Sequence, residues 1–563
     1  MERELTLHVP ATARPAIVKA LRADKARRVT LQARYFDTPA RELARAGVAL
    51  RVRLEGRRWV QTVKAPGPDA LTRLELNHPR TGPELDLSLY DGTPLAGLLA
   101  RLSEPLGLRY ETRVARLAMR VESRAATVEV AYDHGVIVAG GLELPISEVE
   151  FEQIAGAPEA VFDLGRQWLL SHGLVLELRS KAQRGDLLAQ AAGAGAHGAA
   201  DTAPGSAAAS RAARGGKAEA ADGAAPAPPP PDLFRHRRSR HVRLSPDMDI
   251  TQAYLACANE CLTQIICNAT LAAGVDTARA SAQARAEYIH QLRVGMRRLR
   301  SCWKLFKPWM PAVDRHVADT LRRHFALFGS VRDDDVIRLD IMPRLLRAGM
   351  PVHGWPGRAA PDGLAPGEAG PDAERDRPAT QAGGQAAQAA GGQAFQACLL
   401  ELLRHVVLLG DAAGLQPAPS GKDRKPRGKG TAAPAHLGHA LVRRLDGWRG
   451  RIAREGEHFV ELSIDDQHDL RKEVKTLRYC LDFSEGALSA PMVKPLREAL
   501  LQAQETLGEL NDFYVAQAFY QRLQDSQPAS AWFAIGWLRA MQEQNKARAQ
   551  EVFMRLPSLR PGA

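Results

Sequence analysis

Between Ala191 and Pro231 the chain is dominated by Ala, Gly, Ser and Pro and ends in Pro228-Pro-Pro-Pro231. A stretch of that composition cannot bury enough apolar surface to order itself, so folding has to happen on either side of it. The hydrophobic period also changes across it. Before it apolar residues alternate, as in half-buried strands, and after it they recur at helical spacing. A chain of 563 residues has length for several cores, and this break divides it into a β-rich first part and an all-helical second part.

In the first part Glu2 to Val9, Val48 to Glu55, Arg58 to Lys64, Leu71 to Asn77, Ala115 to Glu122, Ala126 to Tyr132, Gly135 to Val138 and Pro145 to Gln153 read as eight short strands. Turn signals such as Asp91-Gly92 and Asp133-His134-Gly135 separate them, and Ala160 to Ser171 reads as a helix. The expected fold is a closed or nearly closed antiparallel sheet. Alternate residues of a strand share a face, so Glu2, Glu4, Thr6 and His8 point one way, as do Glu148, Glu150 and Glu152. The strands between carry Arg51 and Arg53, Lys64, Arg73 beside Glu75, and Arg120 beside Glu122. Acids thus sit on the first and last strands and bases on the middle ones. With these faces turned inward the sheet has a charged lumen, in which carboxylates suit Mg²⁺ or Mn²⁺ and the basic residues suit phosphates. With them turned outward it is an ordinary sheet with one face in water.

The helical part extends from about Ile250 to Val552, with polar, Gly/Ala-rich stretches at 352–394 and 411–434 that read as disordered insertions. It contains one motif written twice, His290-Gln-Leu-Arg-Val-Gly-Met-Arg-Arg-Leu-Arg300 and His468-Asp-Leu-Arg-Lys-Glu-Val-Lys-Thr-Leu-Arg478. His290, Arg293, Arg297 and Arg300 fall within an arc of roughly 80° on a helix, opposite Leu292, Met296, Leu299 and Trp303. His468, Arg471, Lys475 and Arg478 repeat the stripe against Leu470, Val474, Leu477 and Leu481. Leu327 to Asp333 follows the first copy at nearly the distance at which Leu507 to Asp512 follows the second, so a multi-helix unit is duplicated with pseudo-twofold symmetry. Arg332-Asp333 and Asn511-Asp512 read as helix-terminal or ion-pair devices that orient the stripes.

Two such stripes point to one polyanion. The formal charge of +12 and a pI of about 9.6 agree but do not choose among polyanions. Aromatics make up only 6% of the chain, too few for the stacking platforms of single-strand binding, and no Asn or Gln pair is placed to read base edges. The linear stripe therefore suits a flexible chain of phosphates better than nucleic acid, which stays the less favoured reading. The N-terminus lacks a basic-then-apolar leader, and no run reaches the ~18 apolar residues of a membrane span. The expectation is a soluble, cytoplasmic protein with no membrane partner. Six cysteines without a CxxC pair read as reduced core thiols.

Residues 1–186 resemble a CYTH domain, the triphosphate tunnel fold of class IV adenylyl cyclases, thiamine triphosphatases and inorganic triphosphatases. The resemblance is carried by Glu2-x-Glu4, Tyr35-Phe-Asp-Thr38, Leu50-Arg-Val-Arg53, Lys64, Arg73-Leu-Glu75, Asp133, Glu148-Val-Glu-Phe-Glu152 and Ser180-Lys-Ala-Gln-Arg-Gly185. It implies an eight-stranded antiparallel tunnel in which Glu2, Glu4, Asp133, Glu150 and Glu152 bind Mg²⁺ or Mn²⁺. Arg51, Arg53, Lys64, Arg73, Arg113, Arg120 and Lys181 then hold a triphosphate, with Glu2, Glu4 and Lys64 catalytic. Residues 240–555 resemble a CHAD domain through His290-Gln-Leu-Arg-Val with Arg297, Arg298 and Arg300, Gly329, His468-Asp-Leu-Arg-Lys with Lys475 and Arg478, and Leu507-Gly508 with Asn511-Asp512. That resemblance implies polyphosphate binding by His290, Arg293, Arg297, Arg300, Lys304, His468, Arg471, Lys472, Lys475 and Arg478, and location at polyphosphate granules. Residues 187–239 are the linker. The lysine that ends the CYTH opening motif is Thr6 here. An active inorganic triphosphatase, a granule-binding protein without catalysis, and an adenylyl cyclase or thiamine triphosphatase are the readings that follow.

Overall fold

The structure is a computed structural model that describes residues 1–23, 26–200, 227, 229–230, 232–351, 381–414 and 436–561. The chain forms two compact units. One comprises Met1–His236 together with Thr270–Ala284 and Gly391–Leu408, and the other comprises Arg237–Ala269, Arg285–Ala390 and Leu409–Ala563.

The first unit is built on strands β1 (Glu2–His8), β2 (Arg27–Asp37), β3 (Ala49–Glu55), β4 (Arg58–Pro66), β5 (Thr72–Arg80), β6 (Gly107–Glu122), β7 (Ala126–Ala139), β8 (Leu142–Gly156) and β9 (Val175–Leu176). They pair antiparallel in the order β5-β4-β3-β2-β6-β7-β8-β1. The sheet closes where Glu2 meets Arg73 and Arg3 meets Thr72, giving an eight-stranded barrel to which β9 adds an edge along Leu7 and His8. Helices α1 (Arg14–Ala23), α2 (Glu42–Arg45), α3 (Ala96–Leu99), α4 (Glu159–His172) and α5 (Lys181–Ala200) accompany it.

The eight strands of the barrel are not the eight expected from the sequence. β2 went unrecognised because its alternation through Val29, Leu31, Ala33 and Tyr35 is weak, Ala33 carrying little apolar signal. Asp133-His134-Gly135 is no turn, since β7 runs straight through it. Glycine stands there because a Cβ at Gly135 would lie 1.9 Å from the Arg113 carbonyl oxygen of β6. Helix α5 likewise continues beyond residue 186 into the stretch read as linker, where Leu187, Leu188, Ala189 and Gln190 are good helix formers.

Alternation along the strands puts the apolar core outside the barrel wall. Leu5, Leu7, Val149 and Phe151 are buried against Val161, Phe162, Trp168 and Leu169 of α4, with the Phe151 and Trp168 rings edge to face at 5.8 Å. On the opposite wall Leu43, Val48, Leu50, Val63, Tyr90 and Leu99 make a second cluster beneath α2 and α3. The lumen takes the charged residues, interspersed with small and apolar ones such as Ala33, Ala118 and Ala131, and the charges stay buried because they pair with one another.

The second unit contains α6 (Ile250–Ala272), α7 (Ala282–Phe306), α8 (Arg315–Val336), α9 (Met342–Arg347), α10 (Gln381–Gly391), α11 (Gln393–Ala412), α12 (Leu437–Glu455), α13 (Ile464–Phe483), α14 (Ala490–Gln521) and α15 (Pro528–Arg555), although the end of α6 and most of α11 fall in the first unit. Helix α7 buries Leu292, Met296 and Leu299, and α13 buries Leu470, Val474, Leu477 and Leu481. The Ser463 hydroxyl caps α13 by accepting from Asp466 N at 3.1 Å. Residues 381–394, read as the end of an insertion, are helical except at Gly392, where α10 gives way to α11, because their Ala and Gln favour helix. Residues 352–380 and 415–434 of the two insertions, and the side chains of Arg332 and Asp333, lie outside the described residues. Asn511 sits inside α14 and not at a helix end. Among the described residues no helix is long and apolar enough to cross a membrane.

Candidate active site in the lumen and a cationic face on the helical unit

Antiparallel register lines up three rows of inward residues across β6, β7, β8 and β1. They are Arg116, Asp133, Glu148 and His8, then Ala118, Ala131, Glu150 and Thr6, then Arg120, Glu129, Glu152 and Glu4. Strand β5 closes on β1 and brings Glu75 and Arg73 beside Glu2 and Glu4, with Lys64 of β4 between them. The Lys64 Nζ lies 3.0 Å from Glu2, 3.6 Å from Glu4 and 2.7 Å from Glu75. The three residues expected to be catalytic therefore meet.

At this end negative charge is in excess. Burial, followed by the neighbouring carboxylates Glu150 and Glu2, raises the Glu4 carboxyl to about 7 against the opposing pull of Lys64. Burial, then Glu2 and Glu4, raises Glu152 likewise to about 7. Carboxylates that are costly to ionise side by side form the oxygen donor set a hard divalent cation takes, so Glu2, Glu4 and Glu152 fit such an ion. Thr6 adds no charge, and its hydroxyl donates to Glu4 Oε1 at 3.1 Å.

Deeper in, Asp133, Glu148 and Glu150 bring carboxylate oxygens within 4.8 Å of one another. The Lys181 Nζ, at the start of α5, sits among them at 2.8, 2.5 and 2.5 Å. Arg116 adds bonds of 2.7 and 2.8 Å to Asp133 and also pairs with Glu150. Burial alone would raise Asp133 and Glu150, but Lys181 and Arg116 together hold both below the ordinary carboxylate range. Glu148 also pairs with Arg184, which lies 3.9 Å from Asp276. Asp133 and Glu150, expected to hold metal, and Lys181, expected to hold phosphate, are thus bonded to each other. This trio is neutralised by two cations of the chain itself, whereas Glu2, Glu4 and Glu152 share the single ammonium of Lys64, which pairs with Glu2 and Glu4.

Positive charge gathers on β3. Arg51 Nη1 donates to the Tyr35 hydroxyl at 3.3 Å, and its Nη2 is 4.0 Å from Glu75. Burial, then Arg51 and Arg116, lowers Arg53 to about 10 although Glu55 bonds it at 2.7 Å. Arg120 faces inward at the open end, largely exposed and 3.7 Å from Glu129. Arg113 does not reach the lumen. It pairs across β2 with the outward Gln32 and lies on the outer surface 3.5 Å from Glu111. Arg116 is, with Arg120, an inward arginine of β6, and it is absent from the expected set. Residues 113 and 120 have opposite parity on one strand, so both could not face in, while 116 shares the parity of 120. Glu148, which parity places on the same face as Glu150 and Glu152 but which the resemblance does not include among the metal ligands, also reaches the lumen.

On the helical unit the two stripes converge. Lys475 is lowered to about 6 by burial and then by Arg471, Arg297 and Arg293, with Asp512 opposing. Arg297 Nε is buried without a hydrogen-bond partner. Arg293 and Arg300 both lie over the Phe325 ring, at 4.9 and 5.8 Å. His468 Nδ1 is 3.1 Å from Asn511 Oδ1. The remaining expected residues are partly neutralised locally, Lys304 by Glu473 at 3.0 Å, Lys472 by Asp469 at 2.7 Å and Arg478 by Asp482 at 2.8 Å. His290 lies on α7 at the head of its stripe. Arg298, part of the resemblance, is structural, being buried and bonded to Gln264 at 2.9 Å.

Comparison with known proteins agrees with this division. Residues 1–185 match the CYTH domain and residues 266–521 the CHAD domain. The inorganic triphosphatase of Haemophilus influenzae is 32% identical over 159 residues, which are 27% of this chain and 44% of that protein, so the chain spans under half the length of that relative. The crystal structure of the CHAD domain from the plant Ricinus communis is 21% identical with a TM-score of 0.40, covering 58% of this chain and 98% of its own. A protein of Pyrococcus horikoshii OT3 is 23% identical with a TM-score of 0.23, covering 32% of this chain and 95% of its own. The chain therefore carries a CYTH domain at residues 1–185 and a CHAD domain at residues 266–521.

Proposed function

We propose that the barrel hydrolyses inorganic triphosphate with Mg²⁺ or Mn²⁺ and that the helical unit binds inorganic polyphosphate, which would hold the protein at polyphosphate granules. The observation that carries the first half is the sorting of charge inside one lumen, with Glu2, Glu4 and Glu152 on one side, Arg51 and Arg53 on the other and Lys64 bonded between the acids. Glu2, Glu4 and Glu152 would hold the cation, which when bound supplies Lewis acidity toward phosphoryl oxygens and an acidified water. Arg51, Arg53 and Arg73 would bind the phosphates that are not transferred. Lys64 would exchange its carboxylate partners for the terminal phosphate and stabilise charge spreading there. The trio around Lys181 would keep that wall rigid. The sequence relation to an inorganic triphosphatase supports the choice of substrate.

Phosphate release from tripolyphosphate, assayed with and without Mg²⁺ or Mn²⁺, tests the reading. Identical rates for the wild type and Glu4→Gln would sink it. Thr6 favours a second reading, binding without catalysis, because it leaves the lumen one cation short of the family pattern. That reading predicts tripolyphosphate binding with no release.

For the helical unit, the crowding of Arg293, Arg297 and Arg471 around Lys475 is relieved by a linear polyanion. Retention of labelled polyphosphate against competing duplex DNA at fixed salt separates this from nucleic-acid binding.

A further inference from the structure

On the outer surface of the barrel wall, away from the lumen, an open cleft of about 580 Å³ lies between α1 and β7. Arg14, Val18, Lys19 and Arg22 of the helix line it together with Tyr132 and His134 of the strand, and no carboxylate among the described residues does. Arg14, Val18 and Arg22 recur every fourth residue and so share one face of α1, with Lys19 beside them. Tyr132 and His134 flank the inward Asp133, and their rings lie parallel, 10° apart with centroids at 6.3 Å. Arg14 is held in place through its Nε, which donates to the buried Ser147 hydroxyl at 3.1 Å, and that hydroxyl in turn donates to the Val9 carbonyl at 2.9 Å. The fork of its guanidinium remains available. Lys19, Arg22 and His134 are exposed, and among the described residues none of them has an ion-pair partner.

Three permanent cations and a histidine along one short helix and the strand beside it repel each other, and a bound anion relieves that repulsion. Arg14 to Arg22 spans about 12 Å of helix axis, longer than one phosphate requires. We propose that this cleft is a second binding site, outside the lumen, for a linear condensed phosphate. The inference rests on the charge and shape of the cleft and not on hydrolysis in the barrel. A tripolyphosphate chain and the chain of a nucleoside triphosphate share this chemistry.

The test is lysine-reactivity footprinting of the full-length chain with an amine-acylating reagent, read peptide by peptide by mass spectrometry, with tripolyphosphate, ATP or sulfate at matched ionic strength. Lys19 reports the cleft, Lys64 the lumen and Lys475 the helical face. Saturating tripolyphosphate should slow acylation of Lys19 by about threefold or more. Sulfate should not, and Arg22→Gln and Arg14→Gln, on the outer surface of the barrel, should each abolish the protection. Protection by ATP at lower concentration than by tripolyphosphate assigns the nucleoside triphosphate as ligand, and equal protection assigns the phosphate chain alone. Lys19 unprotected while Lys64 is protected overturns the site and leaves the lumen reading standing, and the reverse pattern does the opposite. Equal protection by sulfate, or protection that survives in both arginine variants, reduces the cleft to general charge screening and overturns it as well.

Discussion

Thr6 occupies the inward position beside Glu150 on β1, where the family pattern has a lysine, and its hydroxyl is turned to Glu4. Restoring the charge adds one cation to the phosphate-binding side, worth about 1.4 kcal/mol for a charge-assisted contact, so Thr6→Lys should raise kcat/KM for tripolyphosphate roughly tenfold. Steady-state phosphate release checks it, and a fall would mean that Lys181 already fills that role. Glu4 and Glu152 make a second prediction. Their carboxyls titrate near 7 in the folded, metal-free chain against a reference value of 4.5, so the folded state binds more protons than the unfolded one. Stability from these groups is fully present below about pH 4.5 and is lost as pH rises through 7. The melting temperature of metal-free protein should therefore fall more between about pH 5 and pH 8 in the wild type than in Glu4→Gln, and Mg²⁺ should reverse the loss at the higher pH, where the carboxylates are free to bind it. Sequence parity alone assigned Glu2, Glu4, Glu150 and Glu152 to one face. The same parity excludes Arg113 in favour of Arg116, a check that needs only the strand period.

Strand β7 shows why an element can be misread locally. Asp-His-Gly has the composition of a turn, yet Gly135 is extended and packed against the β6 backbone. Gly135→Ala should cost about 3 kcal/mol or more, because β6 and β7 must part to admit a methyl group, and the loss is measurable by urea unfolding. On the helical side α7 and α13 were legible from their period, but not the fact that their cationic faces meet. Their meeting has a thermodynamic signature. Lys475, lowered to about 6 by burial and by Arg471 and Arg297, is mostly neutral near pH 7.5. A bound polyanion raises it, so binding should take up close to one proton, and affinity should fall with rising pH by at most tenfold per unit. Titration calorimetry in buffers of different ionisation enthalpy measures the uptake, and Lys475→Met should abolish it.

At the scale of the whole molecule the compact unit that contains the barrel also takes in Thr270–Ala284 and Gly391–Leu408. Within it Gln396 and Thr270 satisfy the backbone of Leu176, Arg404 pairs with Asp163 at 2.8 Å, and Asp276 bonds Arg179 at 3.1 Å. A protein of residues 1–200 alone lacks all of these partners. It should melt about 5 °C or more below the barrel transition of the full chain, by the size of a few lost buried hydrogen bonds. Equal melting temperatures would show that the barrel is autonomous. The two hydrophobic periods, the sorting of acids and bases by strand and the duplicated stripe were all determined by the sequence itself. They are local properties, set by which neighbours along the chain share a face. The closure of β1 on β5, the Lys181 ammonium among Asp133, Glu148 and Glu150, the convergence of Lys475 with Arg293 and Arg297, and the outer cleft beside α1 were decided only in three dimensions. Each depends on residues far apart in the chain, and a strand's period says which way a side chain points but not what it will meet there.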